Sequence, residues 1–221
     1  MGDDDVARPG EIRQPAAPIS SRQAARRVRI LLAASELGAR EGLARVQMHD
    51  VAKEAGVAIA TLYRYFPSKP CLFLAVLEWH IEQFLGGRDG GRDVGPAADE
   101  MTEPATDVAE TDVEATEVAE TLIALSGKLL GSRLLASAVA LSSFSEYASV
   151  VPTRIDIVEK ALGQRLLRLV GGRADAETAR SRVRLLVYSW WGLFVAMLTE
   201  EISTEQGEAD MRLAARLIAA A

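Results

Sequence analysis

An all-α fold is expected for this chain of 221 residues, and three features carry the expectation. Aromatic residues are only 5%, while Ala, Leu, Arg and Glu dominate, a composition that favours helix over sheet. Apolar residues recur at helical spacing through most of the chain. Helix starters and breakers (Ser20, Gly42, Gly56, Pro67, Asp175) fall between those stretches. The length suits a small domain followed by a larger one, and a hydrophobic fraction of 49% supplies a sizeable core.

The elements follow in order. Residues 1–19 carry Pro9, Pro15 and Pro18 with no apolar period and read as a disordered arm. Ser20 with Gln23 three residues on forms a capping box, and the first helix runs from there to about Glu41, with Ile30, Ala34 and Leu37 on one face. Gly42 suits a left-handed stop. A short second helix fits Met48 to Ala55, with Val51, Ala52 and Ala55 inward, and Gly56 breaks it. A third short helix fits Ala58 to Phe66, ended by Pro67. Ser68 caps a fourth, whose stripe is Leu72, Val76, Trp79 and Phe84, ending near Leu85.

Six residues of Gly and Pro between 86 and 96 then mark a linker, followed by an acidic run of DVAET, DVEAT and EVAET over 107–121. Val108, Val113 and Val118 recur every five residues, which draws no stripe at 100° per residue, so 86–121 is expected to be a flexible acidic linker. The second domain is placed at 122–221. One or two helices span 122–147, with a break near Gly127 or Gly131. A further helix starts at Pro152, with Ile155, Val158, Leu162 and Leu169 on its face, and ends at Gly171-Gly172. Asp175 caps a long helix to about Thr199, and a last one covers about Glu208 to Ala220.

Charge divides the same way. Net charge is −2 over 1–19, +4 over 20–88, −10 over 89–121 and +2 over 122–221. The overall pI near 5.1 argues against a nucleic-acid partner, whereas the basic segment 20–88 argues for one. One cysteine, Cys71, excludes an internal disulfide, and two histidines with it are too few for a His/Cys zinc site. No cofactor or metal is expected. The N-terminus has acids where an export signal needs bases and lacks an apolar core, so a cytoplasmic location is expected. The longest uncharged apolar stretch, Leu185 to Thr199, is 15 residues. A spanning helix needs about 20. No membrane partner is expected. There is no Ser/His/Asp set, metal spacing or Gly-rich phosphate loop, and adjacent Glu200 and Glu201 diverge on a helix, which excludes an enzyme reading.

Three helices in 20–66, the second and third joined by a tight Gly turn, describe a helix-turn-helix. Val57 and Leu62 clamp the pair, leaving Ile59, Ala60, Thr61, Tyr63, Arg64 and Tyr65 on the outside of a helix short enough for a DNA major groove about 12 Å wide. The run GVAIATLYRYFPSKPCLF, preceded by RILLAASELGAREGLARVQMHDVAKEA, resembles the TetR family of transcriptional regulators over residues 26–78. VQM, TLYRYFPSK and, further on, VEKALGQRLLRL are similar to its KstR-type subgroup, repressors of steroid catabolism.

The resemblance implies roles by position. Thr61, Tyr65 and Lys69 match residues that grip phosphates, and Tyr63 matches one that reaches backbone or bases. Arg64 is exposed beside them. Arg22, Arg26 and Arg27 reach the backbone or minor groove, and Ile59, Ala60 and His49 read bases, with apolar contact to a thymine methyl available to Ile59 and Ala60. Three positions depart from the family: Met48 replaces a capping Thr, Ala58 a capping Ser, and Gly38 a large aromatic whose loss removes packing from the first helix.

The resemblance also implies a C-terminal domain that binds a ligand and dimerises through its last two long helices, placed at 176–200 and 207–220. Tyr188, Trp191, Phe194, Phe144 and Tyr147 are assigned to the pocket. Val183, Val187, Trp190, Met197, Leu213 and Leu217 are assigned to the dimer interface. The implied partners are a double-stranded DNA operator, a second copy of the chain, and a bulky hydrophobic inducer such as a steroid or an acyl thioester. An activator or regulator without an inducer is the alternative.

Overall fold

A computed structural model describes residues 20–89, 107–147, 157–170 and 175–220. The expected arm at 1–19, the linker core at 90–106 and the helix start at Pro152 lie outside them. Among the described residues the fold is all-α.

The helices run α1 Ser21–Arg45, α2 Met48–Glu54, α3 Ile59–Tyr65, α4 Lys69–Asp89, α5 Asp107–Leu130, α6 Arg133–Tyr147, α7 Ala161–Val170, α8 Ala176–Leu198 and α9 Thr204–Ala220. A short 3-10 turn, Ile157–Glu159, precedes α7. The three sequence-legible starters all act locally. Ser20 Oγ accepts from the Gln23 amide, Ser68 Oγ from the Cys71 amide at 3.0 Å, and Asp175 from the Glu177 and Thr178 amides at 3.0 Å each. Each cap satisfies donors a helix start otherwise leaves open. Gly42 takes φ 73° and breaks the helical path of α1, as its position implies.

Residues 107–121 correct the linker expectation, because they form about the first four turns of α5. The valines do not draw the stripe; the alanines complete it. Ala115, Val118, Ala119, Leu122, Leu125, Ser126 and Leu129 are all buried, at i, i+3, i+4 and i+7. The acids on the flanks are partnered: Glu117 with Arg165 of α7 at 3.4 Å, and Glu120 with Arg212 of α9 at 2.8 Å. A helix that is acidic in sequence is thus held by apolar burial on one side and by arginines from two neighbours.

Two further boundaries move. α5 passes through Gly127 and stops at Gly131, where the chain turns into α6. Of the helix expected from Pro152, the described part opens with the 3-10 turn and becomes α-helical at Ala161. A Cβ on Gly163 would sit 2.3 Å from the Ile157 carbonyl, so only glycine allows that approach, and Gln164 Nε2 donates to the Val158 carbonyl at 2.9 Å.

α1 and α4 pack on α6, and α8 and α9 pack on each other and on α5, so one continuous core joins the first helix to the last. Phe66, Phe73 and Phe194 are its largest fully buried side chains. Each contributes about 1.5–3 kcal/mol by leaving water. Gly38 answers the missing aromatic. The space is filled by Phe73 of α4, whose Cε1 would lie 2.6 Å from a Cβ at 38, and by Leu135 of α6 at 3.1 Å. The aromatic mass sits on the facing helix instead of on α1.

Candidate nucleic-acid interface

The helix-turn-helix is built from its inner residues outward. Val51 and Ala52 of α2, Ala55 in the turn, and Leu62 of α3 are buried, and Gly56 takes φ 64° between them. The Val57 amide donates to the Ala52 carbonyl at 2.9 Å and closes the turn. Burying Leu62 leaves the opposite side of α3 to solvent. Ile59, Ala60, Tyr63 and Arg64 are exposed, with Tyr63 at 48%, and Thr61 is half-buried. His49 projects from α2 with its side chain 78% exposed, 3.8 Å from Asp50. Neither α2 nor α3 has a side-chain cap, as Gln47 and Ala58 at those positions imply, and Met48 is drawn into the core.

Arg22 is exposed at the start of α1, and Arg26 and Arg27 are half-buried one turn on. Arg27 holds its guanidinium 5.7 Å above the buried Phe66 ring, a cation–π contact that ties this arginine to the end of α3. The structure therefore gathers Arg22, Arg26 and Arg27 on α1 and the exposed side of α3 into the same small head.

Two residues assigned to phosphates lie turned inward. Tyr65 is 4% exposed, packed beside Phe66 with the Arg64 guanidinium 5.8 Å over its ring. It falls three residues after Leu62, on the buried side of α3. Lys69 directs its ammonium inward, donating to the Leu43 carbonyl at 2.8 Å and the Val46 carbonyl at 3.0 Å.

In the C-terminal half α8 turns inward the face assigned to the dimer. Val183, Val187, Trp190 and Met197, assigned to a dimer interface, are buried within the chain's own core. Trp190 Nε1 donates to Ser126 Oγ of α5 at 2.8 Å. Phe194 is fully buried with Trp191, half-buried, stacked on it at 5.2 Å. Tyr188 and Phe144, assigned to a pocket, are 60% and 52% exposed. Tyr147 ends α6, and its side chain lies outside the described residues. Leu213 and Leu217 of α9 are exposed. Leu185 and Gly192, not assigned from the sequence, share the outer side of α8 with Tyr188. The spacing of three and four residues around Tyr188 is the signal that finds them. Between α5, α8 and α9, residues including Ser126, Gly127, Trp190, Met197 and Met211 enclose about 10 Å³. That is room for about one water.

His80, given no partner by the sequence, bonds through Nε2 to Ser35 Oγ of α1 at 2.8 Å and meets Trp79 edge-on. Burial lowers its pKa, and the nearby Lys128 cation lowers it further. Among the described residues no cluster of metal-ligating side chains occurs, and no single helix is long and apolar enough to cross a membrane.

Residues 30–76 match the family described as bacterial regulatory proteins, tetR family. A TetR transcriptional regulator from Rhodococcus sp. RHA1 has a crystal structure that is 36% identical, covers 88% of this chain and 96% of that one, and superposes with a TM-score of 0.67. The transcriptional repressor KstR of Mycobacterium tuberculosis is 28% identical over 203 residues, 90% of this chain and 83% of KstR. KstR of Rhodococcus jostii is 40% identical over 83 residues, and that match spans 34% of its length and 38% of this chain. These relatives are transcription regulators, not enzymes. A head with one exposed recognition side, fused by a continuous core to a helical body, agrees with a likeness that extends over most of both chains in the Rhodococcus structure: the chain belongs to the TetR family of transcriptional regulators.

Proposed function

We propose that this chain is a repressor that binds a pseudo-palindromic DNA operator as a homodimer and is released by a hydrophobic small molecule. The observation that carries the DNA part is the division of α3. Leu62, Tyr65 and Phe66 lock it to the head, while Ile59, Ala60, Tyr63 and Arg64 are left outward. Placed in a major groove, Ile59 and Ala60 meet thymine methyls, Tyr63, Arg64 and Thr61 meet backbone or base edges, and Arg22, Arg26 and Arg27 lie along the flanking phosphates, with His49 at the start of α2. Two heads related by a two-fold axis read half-sites about 34–36 Å apart.

The dimer is assigned to the outer side of α8 and α9. Leu185, Tyr188, Leu213 and Leu217 are apolar and exposed there, and Gly192 between them has open space where a side chain would be. Two small or apolar helix faces can approach closely over such a glycine. Leu217→Glu shifts sedimentation from dimer to monomer; a variant that stays dimeric refutes this face.

The inducer is assigned to the aromatic interior around Trp191 and Phe194, with a steroid or acyl thioester as the chemical class. The neighbouring cleft, lined by Trp190, Leu193 and Met197, has room for only about 10 Å³, so a molecule of that size enters there only if the helices around it part. The same tight core favours a second reading, a regulator that needs no inducer. Fluorescence anisotropy on DNA from upstream of the chain's own gene, across a salt series, tests the first claim. Specific binding beats random DNA and weakens steeply with salt, whereas equal binding to both refutes that site. Thermal-shift screening tests the second: stabilisation by apolar ligands supports release by an inducer, and stabilisation only by small polar compounds overturns the hydrophobic class.

A further inference from the structure

We propose that His80 is a positioning residue for DNA binding: neutral, it pins α1 of the reading head to α4, and protonated, it releases that joint and weakens the grip on DNA. This rests on the DNA-binding reading above and deepens it. α4 starts in the head at Lys69 and runs on into the body, where it packs on α6 and α7. α1 packs on α2, the first helix of the helix-turn-helix. The angle between α1 and α4 therefore sets where the body holds α3. Two contacts define that angle. Near the head, Phe73 closes on α1 at Gly38. Two turns further along α4, about 10 Å away, His80 Nε2 lies 2.8 Å from Ser35 Oγ, and Ser35 is buried. One contact lets α4 pivot on α1, and two do not.

The surroundings of His80 suit a neutral imidazole. Trp79 meets it edge-on at 5.0 Å. Lys128 of α5 holds its ammonium 5.8 Å from the centre of the Phe84 ring. Phe84 lies one turn beyond His80 on the same side of α4, so this cation stands on the histidine's side of the helix. Among the described residues no carboxylate pairs with His80. On α4, Glu78 is taken by Lys160 at 2.8 Å, and Glu82 and Arg88 are exposed. α1 brings Ser35 and, beside it, exposed Glu36. α6 brings Arg133, held by Glu200 at 2.7 Å, and α7 brings Arg165, held by Glu117, and exposed Arg168. An imidazolium has two N–H groups and no acceptor, so a Ser35 hydroxyl that donates to Nε2 loses its partner on protonation. The new charge is also half-buried beside a second cation, and both causes lower the His80 pKa, burial the more. Turning the ring out to water relieves both and leaves Phe73 as the single pivot. Acid therefore favours the released arrangement, where the histidine titrates near its ordinary value of about 6.5, over the pinned one.

The test uses the full chain and His80→Gln, which keeps a polar side chain and takes up no proton. Affinity for DNA from upstream of the chain's own gene is measured by anisotropy at pH 7.5, 6.5 and 5.5 and one ionic strength. The ratio of wild-type to variant affinity isolates His80, because His49, the other histidine of the chain, titrates in both. That ratio is expected to fall severalfold from pH 7.5 to 5.5, by no more than the about tenfold per pH unit that one proton allows. The same comparison in a Lys128→Met background gives a smaller fall, since the pinned state then disfavours the proton less. A ratio that stays constant or rises toward acid overturns the proposal, and so does a fall that Lys128→Met leaves unchanged. Amide hydrogen exchange over residues 30–39 is followed without DNA at the same pH values. Exchange in wild type relative to His80→Gln is expected to quicken severalfold from pH 7.5 to 5.5, and a constant ratio overturns the joint. If His80→Gln does not fold, exchange at pH 5.5 in wild type and Lys128→Met decides: slower exchange in the variant supports the joint, and equal exchange overturns it. If wild type prefers no DNA, that part of the functional reading fails while the exchange result still judges the joint.

Discussion

Gly38→Ala reverses the usual sign of a glycine replacement inside a helix. In an open helix position the change stabilises by about 1 kcal/mol, because alanine restricts the unfolded chain and favours helix. At 38 the new methyl would stand 2.6 Å from Phe73 Cε1 and 3.1 Å from both Phe73 Cζ and Leu135 Cδ1. Carbon atoms in contact sit about 3.5–4.0 Å apart, so the overlap is about 1 Å. Phe73 is fully buried and Leu135 nearly so, which leaves neither a free direction to move. Overpacking of that kind costs about 1–3 kcal/mol. Set against the gain, the net expectation is a loss of up to about 2 kcal/mol, a fall in Tm of up to roughly 8 °C for a chain of this size. Gly86→Ala is the control: it lies inside α4 with nothing within 4 Å of a Cβ, and it should gain up to about 1 kcal/mol. Urea denaturation of both variants reads the difference directly. A Gly38→Ala protein at least as stable as wild type, alongside a stabilised Gly86→Ala, would refute the account of Phe73 as the ring that replaces an aromatic on α1.

The other expectations are narrower. Ser126→Ala strands the Trp190 indole N–H in the core and should destabilise by about 1–3 kcal/mol in denaturant unfolding, and a loss under a few tenths would mean another acceptor takes over. Glu200 is the one described non-glycine residue with positive φ (62°), closing α8 with its own amide on the Met197 carbonyl and the Glu201 amide on the Ala196 carbonyl. Glu200→Gly relieves that strain of about 1 kcal/mol and loses only an exposed pair with Arg133, so Tm should rise; a fall assigns real weight to the pair. His80 has a lowered pKa in the fold, so the unfolded chain takes up its proton first. Stability is therefore full above the ordinary histidine value of about 6.5 and declines as pH drops below it toward the lower folded value. His80→Gln should flatten the fall in urea midpoint between pH 7.5 and 5.5, and an unchanged slope would place the titration elsewhere.

Much of the fold was legible because its signals are local. A cap bonds to an amide two or three residues on, as Ser20, Ser68 and Asp175 do, and Gly42 and Gly56 take positive φ where their own short segments must turn. The same holds for the head: the order of three short helices, the buried Leu62 and the exposed Tyr63 and Arg64 follow from a spacing contained in some forty residues. The departure at Ala58 likewise announced an uncapped start for α3, whereas the cap position of α2 is Gln47, one residue before Met48.

What the sequence alone left open depends on residues far away in the chain. α8 is apolar on more than one side, so its own periodicity could not say which side turns inward. Ser126, 64 residues earlier, and the packing of α5 and α9 chose Trp190 and left Tyr188 outside. The acidic run of α5 reads as a solvated stretch until Arg165 and Arg212 arrive from α7 and α9 and its alanines meet the core. Gly38 looks like a hole until Phe73 fills it, and Lys69 like a free cation until the carbonyls of Leu43 and Val46 come within its reach. A local pattern sets the shape of each helix because its hydrogen bonds close within four residues. Which face is buried, and which polar group is spent inside, is set by whatever the rest of the chain brings against it, and only the tertiary structure decides that.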